Sequence, residues 1–250
     1  MSAALRVAII GCGNMAKGHA RAYLADPRTK LVACSDIFET AVNGFGDEFG
    51  IAGRYLDYRE MLAAEKPDIV SICTHHPLHA PMTIDAAQIA GPKAILCEKP
   101  IALDLPSADD MILACRDSGT LLIIGHQRRF DRQTAAAKQA MDEQAIGEIL
   151  LVEAFGHPRS SLLVDSTHTI DLVRYLVGDP VGSWVIGQID ARSHASGWGQ
   201  PIEDCAMAWI GLSNGVRVLL GAGSALDDSG ESRTPIAARQ IVGGGYHRIV

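Results

Sequence analysis

The run Arg6-Val-Ala-Ile-Ile10 passes directly into Gly11-Cys-Gly-Asn-Met-Ala16, and this junction constrains the fold more than any other part of the chain. A short apolar run suits a strand buried on both faces. Gly11-x-Gly13-x-x-Ala16 then opens a helix. The first glycine permits a tight turn, the second leaves the backbone approachable, and the small Ala16 lets helix and strand pack closely. A helix N-terminus offers unbonded N–H groups and a positive dipole end to an anion such as a pyrophosphate. An acid, Asp36, lies 20 residues beyond Ala16, where a second apolar run over 30–35 ends. A carboxylate there can accept hydrogen bonds from the ribose hydroxyls of a dinucleotide and repels a 2′-phosphate. Ile37, Phe38 and Glu39 follow without a nearby Lys or Arg, which favours NAD over NADP. Asp36 can also cap a helix starting near Phe38.

Strands and helices alternate through the first half. Helices are expected at 14–25, 38–49, 58–64 and 79–90, with a further one from Asp104 or Ser107 to Ser118. Strands are expected at 30–34, 69–73, 94–97 and 121–124. Asp57 reads as a cap and Gly119 as a stop. This order predicts a parallel, doubly wound sheet over 1–124. After Gly125 the pattern changes. A polar helix over 132–144, a strand over Glu148–Phe155 and a helix over His168–Val177 precede extended runs near 183–192, 203–212 and 215–222. Asn214-Gly215 marks a tight hairpin. Residues 125–250 therefore predict an α+β domain with a largely antiparallel, open-faced sheet, in which 193–202 and 223–235 read as loops.

Composition removes several function classes. The 250 residues carry 22 basic and 29 acidic side chains, a formal charge of −7, without a basic stripe, which argues against nucleic acid or an anionic membrane as partner. No run is long and apolar enough to span a bilayer, and the first strand begins by Leu5 without a signal-peptide core, so a cytoplasmic protein is expected. Cysteines at 12, 34, 73, 97, 115 and 205 lack CxxC spacing and read as small buried thiols in a reducing compartment.

These pieces, in this order, resemble the Gfo/Idh/MocA oxidoreductases, a family named for glucose–fructose oxidoreductase and inositol dehydrogenase. The resemblance is carried by Gly11-Cys-Gly-Asn-Met-Ala16 and Asp36, Thr74-His-His-Pro-Leu-His79, Glu98-Lys-Pro100 and Gly125-His-Gln-Arg-Arg-Phe130. His168-Thr-Ile-Asp171 and the stretch from Glu203-Asp204 to Asn214-Gly215 extend it over nearly the whole chain. It implies a Rossmann domain followed by an open-faced α+β domain. It also implies hydride transfer between a nicotinamide and a secondary hydroxyl or carbonyl of a sugar or cyclitol.

The same resemblance distributes the site. The dinucleotide contacts fall to Gly11, Gly13, Asn14, Met15, Asp36, Ile37, Thr74, His75, His79, Glu98, Lys99 and Gln127. Substrate contacts fall to Lys99, Arg128, Asp165, His168 and Asp171. Lys99 also stands out on its own: it follows an apolar strand, and Pro100 restricts its backbone. At a strand's carboxyl end it would face the crevice where open α/β sheets bind ligands. A cation there stabilises a developing alkoxide and takes part in proton transfer.

His168 is the implied acid/base partner, and Asp165 completes the catalytic set. The family often has an Asp four residues before that His. Here the position is Val164, and Asp165 stands three before, so it either reaches His168 or caps the helix. Asp171 either orients the imidazole or pairs with Arg174, and Arg129 reads as a brace at the domain junction. His75, His76 and His79 lack the Glu of a zinc-protease helix, and Pro77 breaks the register, so no metal is expected. Trp198 could wall a sugar pocket. Residues 243–250 read as a loop entering a strand. A sheet left open there would expose a face that a homodimer or homotetramer could cover. Two other readings stay open, an NAD(H)-binding sensor without chemistry and a reductase of an imine or unsaturated ring.

Overall fold

In the computed structural model, residues 3–156, 161–162, 166–193, 196–197, 200–223, 225–226 and 232–233 are described. The chain divides into two compact units, Met1–Gly125 and His126–Val250. In the first unit the elements follow the order β1 (Leu5–Ile10), α1 (Asn14–Ala25), β2 (Thr29–Ser35), α2 (Glu39–Phe49), β3 (Gly53–Tyr55) and α3 (Tyr58–Glu65). They continue with β4 (Ile69–Ile72), α4 (His79–Ile89), β5 (Ala94–Cys97), α5 (Leu105–Asp117) and β6 (Leu121–Ile124). All strand pairs are parallel, in the order β3-β2-β1-β4-β5-β6.

Periodicity and burial explain this sheet. Ala8 and Ile10 of β1 enter one apolar core with Val70, Ile72 and Ile95, while Val7 and Ile9 enter a second with Leu31, Val42 and Phe45. Alternate side chains of one strand thus face opposite layers, and both layers are covered. Caps mark the helix starts as the sequence suggests. The Asp57 carboxylate accepts from the Arg59 N–H (2.8 Å), and that of Asp104 accepts from the Ser107 N–H (2.8 Å).

The second unit contains α6 (Arg132–Asp142), β7 (Leu151–Phe155), α7 (Thr167–Leu176), β8 (Gly182–Asp190), β9 (Ser196–Gly197), β10 (Gln200–Pro201), β11 (Cys205–Leu212), β12 (Arg217–Gly223), β13 (Ala225–Leu226) and β14 (Ser232–Arg233). Its main sheet runs β7-β12-β11-β8, with β7 and β12 parallel and the other two pairs antiparallel. Asn214-Gly215 turns the β11–β12 hairpin, with Gly215 at φ +92° and the Asn214 side-chain oxygen accepting from the Val216 N–H (3.3 Å).

Two details depart from the sequence reading. The strand expected from Glu148 begins only at Leu151, where pairing with Arg217 starts. The segments read as loops hold short ladders, β9 with β10 and β13 with β14, which lack the alternation that marks a strand. Among the described residues no helix is long and apolar enough to cross a membrane. The expected C-terminal strand lies outside the described residues.

Candidate active site

Parallel register builds the site. Ile10 pairs with Ile72, Ile72 with Cys97, and Cys97 with Ile124. The ladder continues one residue further, from the Cys73 N–H to the Ile10 carbonyl (2.8 Å), the Glu98 N–H to the Ile72 carbonyl (3.0 Å) and the Gly125 N–H to the Cys97 carbonyl (2.8 Å). Gly11, Cys73-Thr74, Glu98-Lys99 and Gly125 therefore follow their strands side by side along one edge. The order reverses between β1 and β4, the switch point at which such sheets bind ligands.

The two loop glycines have different reasons. Gly11 sits at φ +91°, and a Cβ there would lie 2.8 Å from the Cys73 carbonyl oxygen, so the turn itself demands glycine. Gly13 has φ −81°, open to any residue, and a Cβ would meet no protein atom within 4 Å. Folding does not require glycine at 13, and the bare backbone there stays open to close approach. Asn14 and Met15 are exposed beside it, and α1 starts here without a side-chain cap.

Asp36 closes the far side of this loop. Its carboxylate accepts from the Cys12 N–H (2.9 Å) and the Phe38 N–H (3.1 Å), one on each oxygen. Each oxygen keeps a second lone pair for a ribose hydroxyl. Ile37 and Phe38 lie exposed next to it. Together, an open Gly13, a side-chain-free helix N-terminus and a half-buried carboxylate fit a dinucleotide.

Glu98 is almost fully buried. His19 of α1, one of the residues that sequence reasoning missed, places Nε2 2.9 Å from Glu98 Oε1 and Nδ1 3.2 Å from Ser71 Oγ. The Tyr23 hydroxyl lies 2.9 Å from the same Ser71 oxygen, and the Lys99 N–H donates to Glu98 Oε2 (3.3 Å). Burial pushes the Glu98 carboxyl up. The His19 hydrogen bond and charge, with the Lys99 amide and ammonium, outweigh it and hold the carboxyl below the usual range. A signal for His19 existed: it stands three residues after Ala16 and one before Ala20, both buried, so a polar ring falls toward the sheet.

The remaining residues are sorted by the same geometry. Lys99 is half-buried on this edge, and its peptide bond to Pro100 is cis. His79 is fully buried, with Nδ1 2.7 Å from the Pro100 carbonyl and Nε2 3.1 Å from that of Thr74. Its ring braces two loops from beneath. Thr74 is half-buried and His75 exposed. The cysteines are free, and burial pushes the thiols of Cys73 and Cys97 up, the latter to about 12, which leaves them protonated and unreactive.

In the second unit, Gln127 is exposed and Arg128 half-buried. His168 on α7 is buried, edge-on to His126 at 5.7 Å between ring centroids. Arg129 grips Asp171 through Nε (2.8 Å) and Nη2 (2.6 Å), bonds Asp179 (2.9 Å), and lies 5.0 Å over the Tyr175 ring. The bonds shown for Arg129 thus lie inside the second unit. Arg174, read as a partner for Asp171, reaches instead the carbonyls of Pro180 (3.3 Å) and Asp179 (3.4 Å). Asp165, Val164 and Trp198 lie outside the described residues.

This fold and edge define an NAD-binding Rossmann oxidoreductase. Residues 5–126 match the Gfo/Idh/MocA family model, described as oxidoreductase family, NAD-binding Rossmann fold. It is similar to inositol 2-dehydrogenase of Rhizobium meliloti, 29% identical over 273 residues, covering 98% of this chain and 81% of the relative. It is also similar to D-apiose dehydrogenase of Paraburkholderia graminis, 33% identical over 187 residues, covering 69% of this chain and 49% of the relative. Several other relatives are likewise matched over about half their length, 54% and 56% in two cases. The crystal structure of myo-inositol 2-dehydrogenase from Lactobacillus plantarum has the same fold, with a TM-score of 0.76 at 24% identity, over 94% of this chain and 84% of that one.

Proposed function

We propose that this protein is an NAD-dependent dehydrogenase acting on a secondary hydroxyl of a sugar, cyclitol or related polyol. The observation that carries the reading is the shared edge: the open glycine loop, Asp36 and Glu98-Lys99 all leave the carboxyl ends of one parallel sheet. Relatives named as inositol and D-apiose dehydrogenases point to the same substrate class. NAD, when bound, accepts hydride from the carbon that bears the hydroxyl.

The chain's own residues would do the rest. The N–H groups at Gly13–Met15 hold the pyrophosphate, and Asp36, with Ile37 beside it, selects the unphosphorylated ribose. Thr74 and His75 border the loop after β4, while His79 supports that loop and Glu98 holds the Lys99 backbone. The Lys99 ammonium stabilises the developing alkoxide and helps carry its proton away. His168 supplies the acid/base group of the second unit, with Asp165 as the candidate third member of the set. Gln127, Arg128 and Asp171 remain assigned to ligand contacts, Asp171 in a form already gripped by Arg129.

The test is appearance of the reduced-nicotinamide absorbance band with NAD and myo-inositol, scyllo-inositol, D-apiose and simple glucosides. Turnover with one of them, and none after Lys99→Ala, is the expected outcome. Tight NAD binding with silence across the panel would favour the sensor reading.

Assembly belongs to the same proposal. The outer face of the second sheet exposes Leu151, Trp184, Ile186, Met207 and Trp209, a patch of the kind that marks an interface. A homodimer or homotetramer through this face is expected by light scattering at micromolar concentration, and Trp209→Glu should shift it toward monomer. A wild-type monomer would contradict the assignment.

A further inference from the structure

Lys99 is fastened on both sides by imidazoles. Before it, Glu98 is held by His19 at 2.9 Å and accepts from the Lys99 N–H. After it, the Pro100 carbonyl lies 2.7 Å from His79. His19 belongs to the helix that begins at the glycine loop, and His79 begins the helix after Thr74. Both struts therefore come from the elements that border the dinucleotide. Gly125 lies against Glu98: a Cβ there would sit 3.1 Å from Oε1, so the carboxylate takes up space that a side chain at 125 would need. The ring of His19 is wedged between this carboxylate and Ser71 Oγ, itself in contact with the Tyr23 hydroxyl. A buried carboxylate so placed requires a partner, and the His19 ring supplies one at 2.9 Å.

We propose that His19 is a positioning residue for the reaction: through Glu98 it fixes the backbone of Lys99, and so the place to which the lysine ammonium is delivered. The inference rests on the reading of Lys99 as the proton-transfer residue. The hydrogen bonds of His19 run to Glu98 and Ser71, so it acts on Lys99 only through Glu98. Its contribution is geometric, and misplacement of a reacting group by about 1 Å costs on the order of 10²-fold in turnover. Loss of the ring should therefore lower kcat while leaving NAD affinity within about twofold, because the loop N–H groups and Asp36 do not pass through Glu98.

The experiment compares His19→Leu, which removes the bond to Glu98, with His19→Gln, which can restore it. Both are made in the wild type and in Lys99→Ala. Two readouts are taken: kcat per NAD-binding site with the polyol that wild type turns over, and amide hydrogen exchange of Lys99 without any ligand. The expected result is a fall in kcat on the order of 10²-fold for His19→Leu, with partial recovery for His19→Gln. In the Lys99→Ala background His19→Leu should have no further effect. Faster exchange should be confined to residues near Lys99. Unchanged kcat and unchanged Lys99 exchange in His19→Leu would overturn the proposal while leaving the role of Lys99 intact. Effects that add in the double variant, or exchange raised throughout the unit, would overturn it equally. If Lys99→Ala keeps full turnover, or the wild type turns over none of the panel, the underlying reading falls and the inference falls with it.

Discussion

The two units treat their sheets in opposite ways. In the first, β1 contributes alternate residues to two separate apolar cores, and polar groups are gathered where the strands end. In the second, one core forms around Val152, Val218 and Leu220, while the other face keeps Trp184, Ile186 and Trp209 in contact with solvent. A sheet covered on both faces can offer a ligand only its edge. A sheet covered on one face can offer a partner its breadth. The difference explains why dinucleotide chemistry is assigned to the first unit and assembly to the second.

The sharpest test of that division is Lys99→Ala. Lys99 is half-buried and stands outside the apolar cores, so melting temperature and NAD affinity should hold while turnover falls by roughly 10²–10⁴-fold. A parallel loss of stability would mean that the edge is part of the fold and not a separable site.

Next in size is a contrast between the loop glycines. Gly11→Ala meets both a positive φ and the Cys73 carbonyl and should destabilise the first unit by roughly 2–3 kcal/mol, read by thermal or urea unfolding. Gly13→Val has open space around it and should leave unfolding unchanged while weakening NAD binding by about tenfold or more, read by calorimetry. Equal effects on stability would remove the claim that Gly13 serves a ligand.

Arg129→Gln probes the second unit alone. It leaves the mostly buried Asp171 carboxylate without its guanidinium, and with the exposure of Asp179 taken into account the cost should be about 1–2 kcal/mol. Unfolding of Gly11→Ala and Arg129→Gln should show additive losses, since they lie in different units.

The smallest effect is that of pH. Glu98 in the first unit and Asp179 in the second both have folded pKa values below their ordinary ones, Asp179 because Arg129 bonds and attracts it. Depressed carboxyls contribute stability that is fully present above their unfolded values, about 4.3 for Glu and 3.9 for Asp, and is lost as pH falls through the folded values. Melting temperature should therefore be flat near neutrality and decline below about pH 4. Salt should weaken the more exposed Asp179 contact more than that of buried Glu98.

Much of the first unit is legible in sequence because each local signal agrees with the others. Apolar runs, the Gly11–Ala16 turn, Asp57 and Asp104 as caps, and Asp36 at a strand end all predict the same sheet. The second unit is less legible. Its short ladders at β9–β10 and β13–β14 carry no alternation, and the strand expected from Glu148 waits for its partner at Leu151. Site residues follow the same rule. Lys99 is visible because a charged residue follows an apolar strand, but His19 acts through a residue 79 positions away, a separation that periodicity cannot reveal. Asp171 is a similar case: its neighbours in the helix suggested His168 or Arg174, whereas the grip comes from Arg129, 42 residues earlier.

The most direct measurement is a crystal structure of the protein with NAD bound. The pyrophosphate is expected against the N–H groups at Gly13–Met15, the adenosine ribose on Asp36, and the Lys99 amine beside the nicotinamide. A dinucleotide seated elsewhere, or a Lys99 amine directed into bulk solvent with NAD in place, would contradict this arrangement.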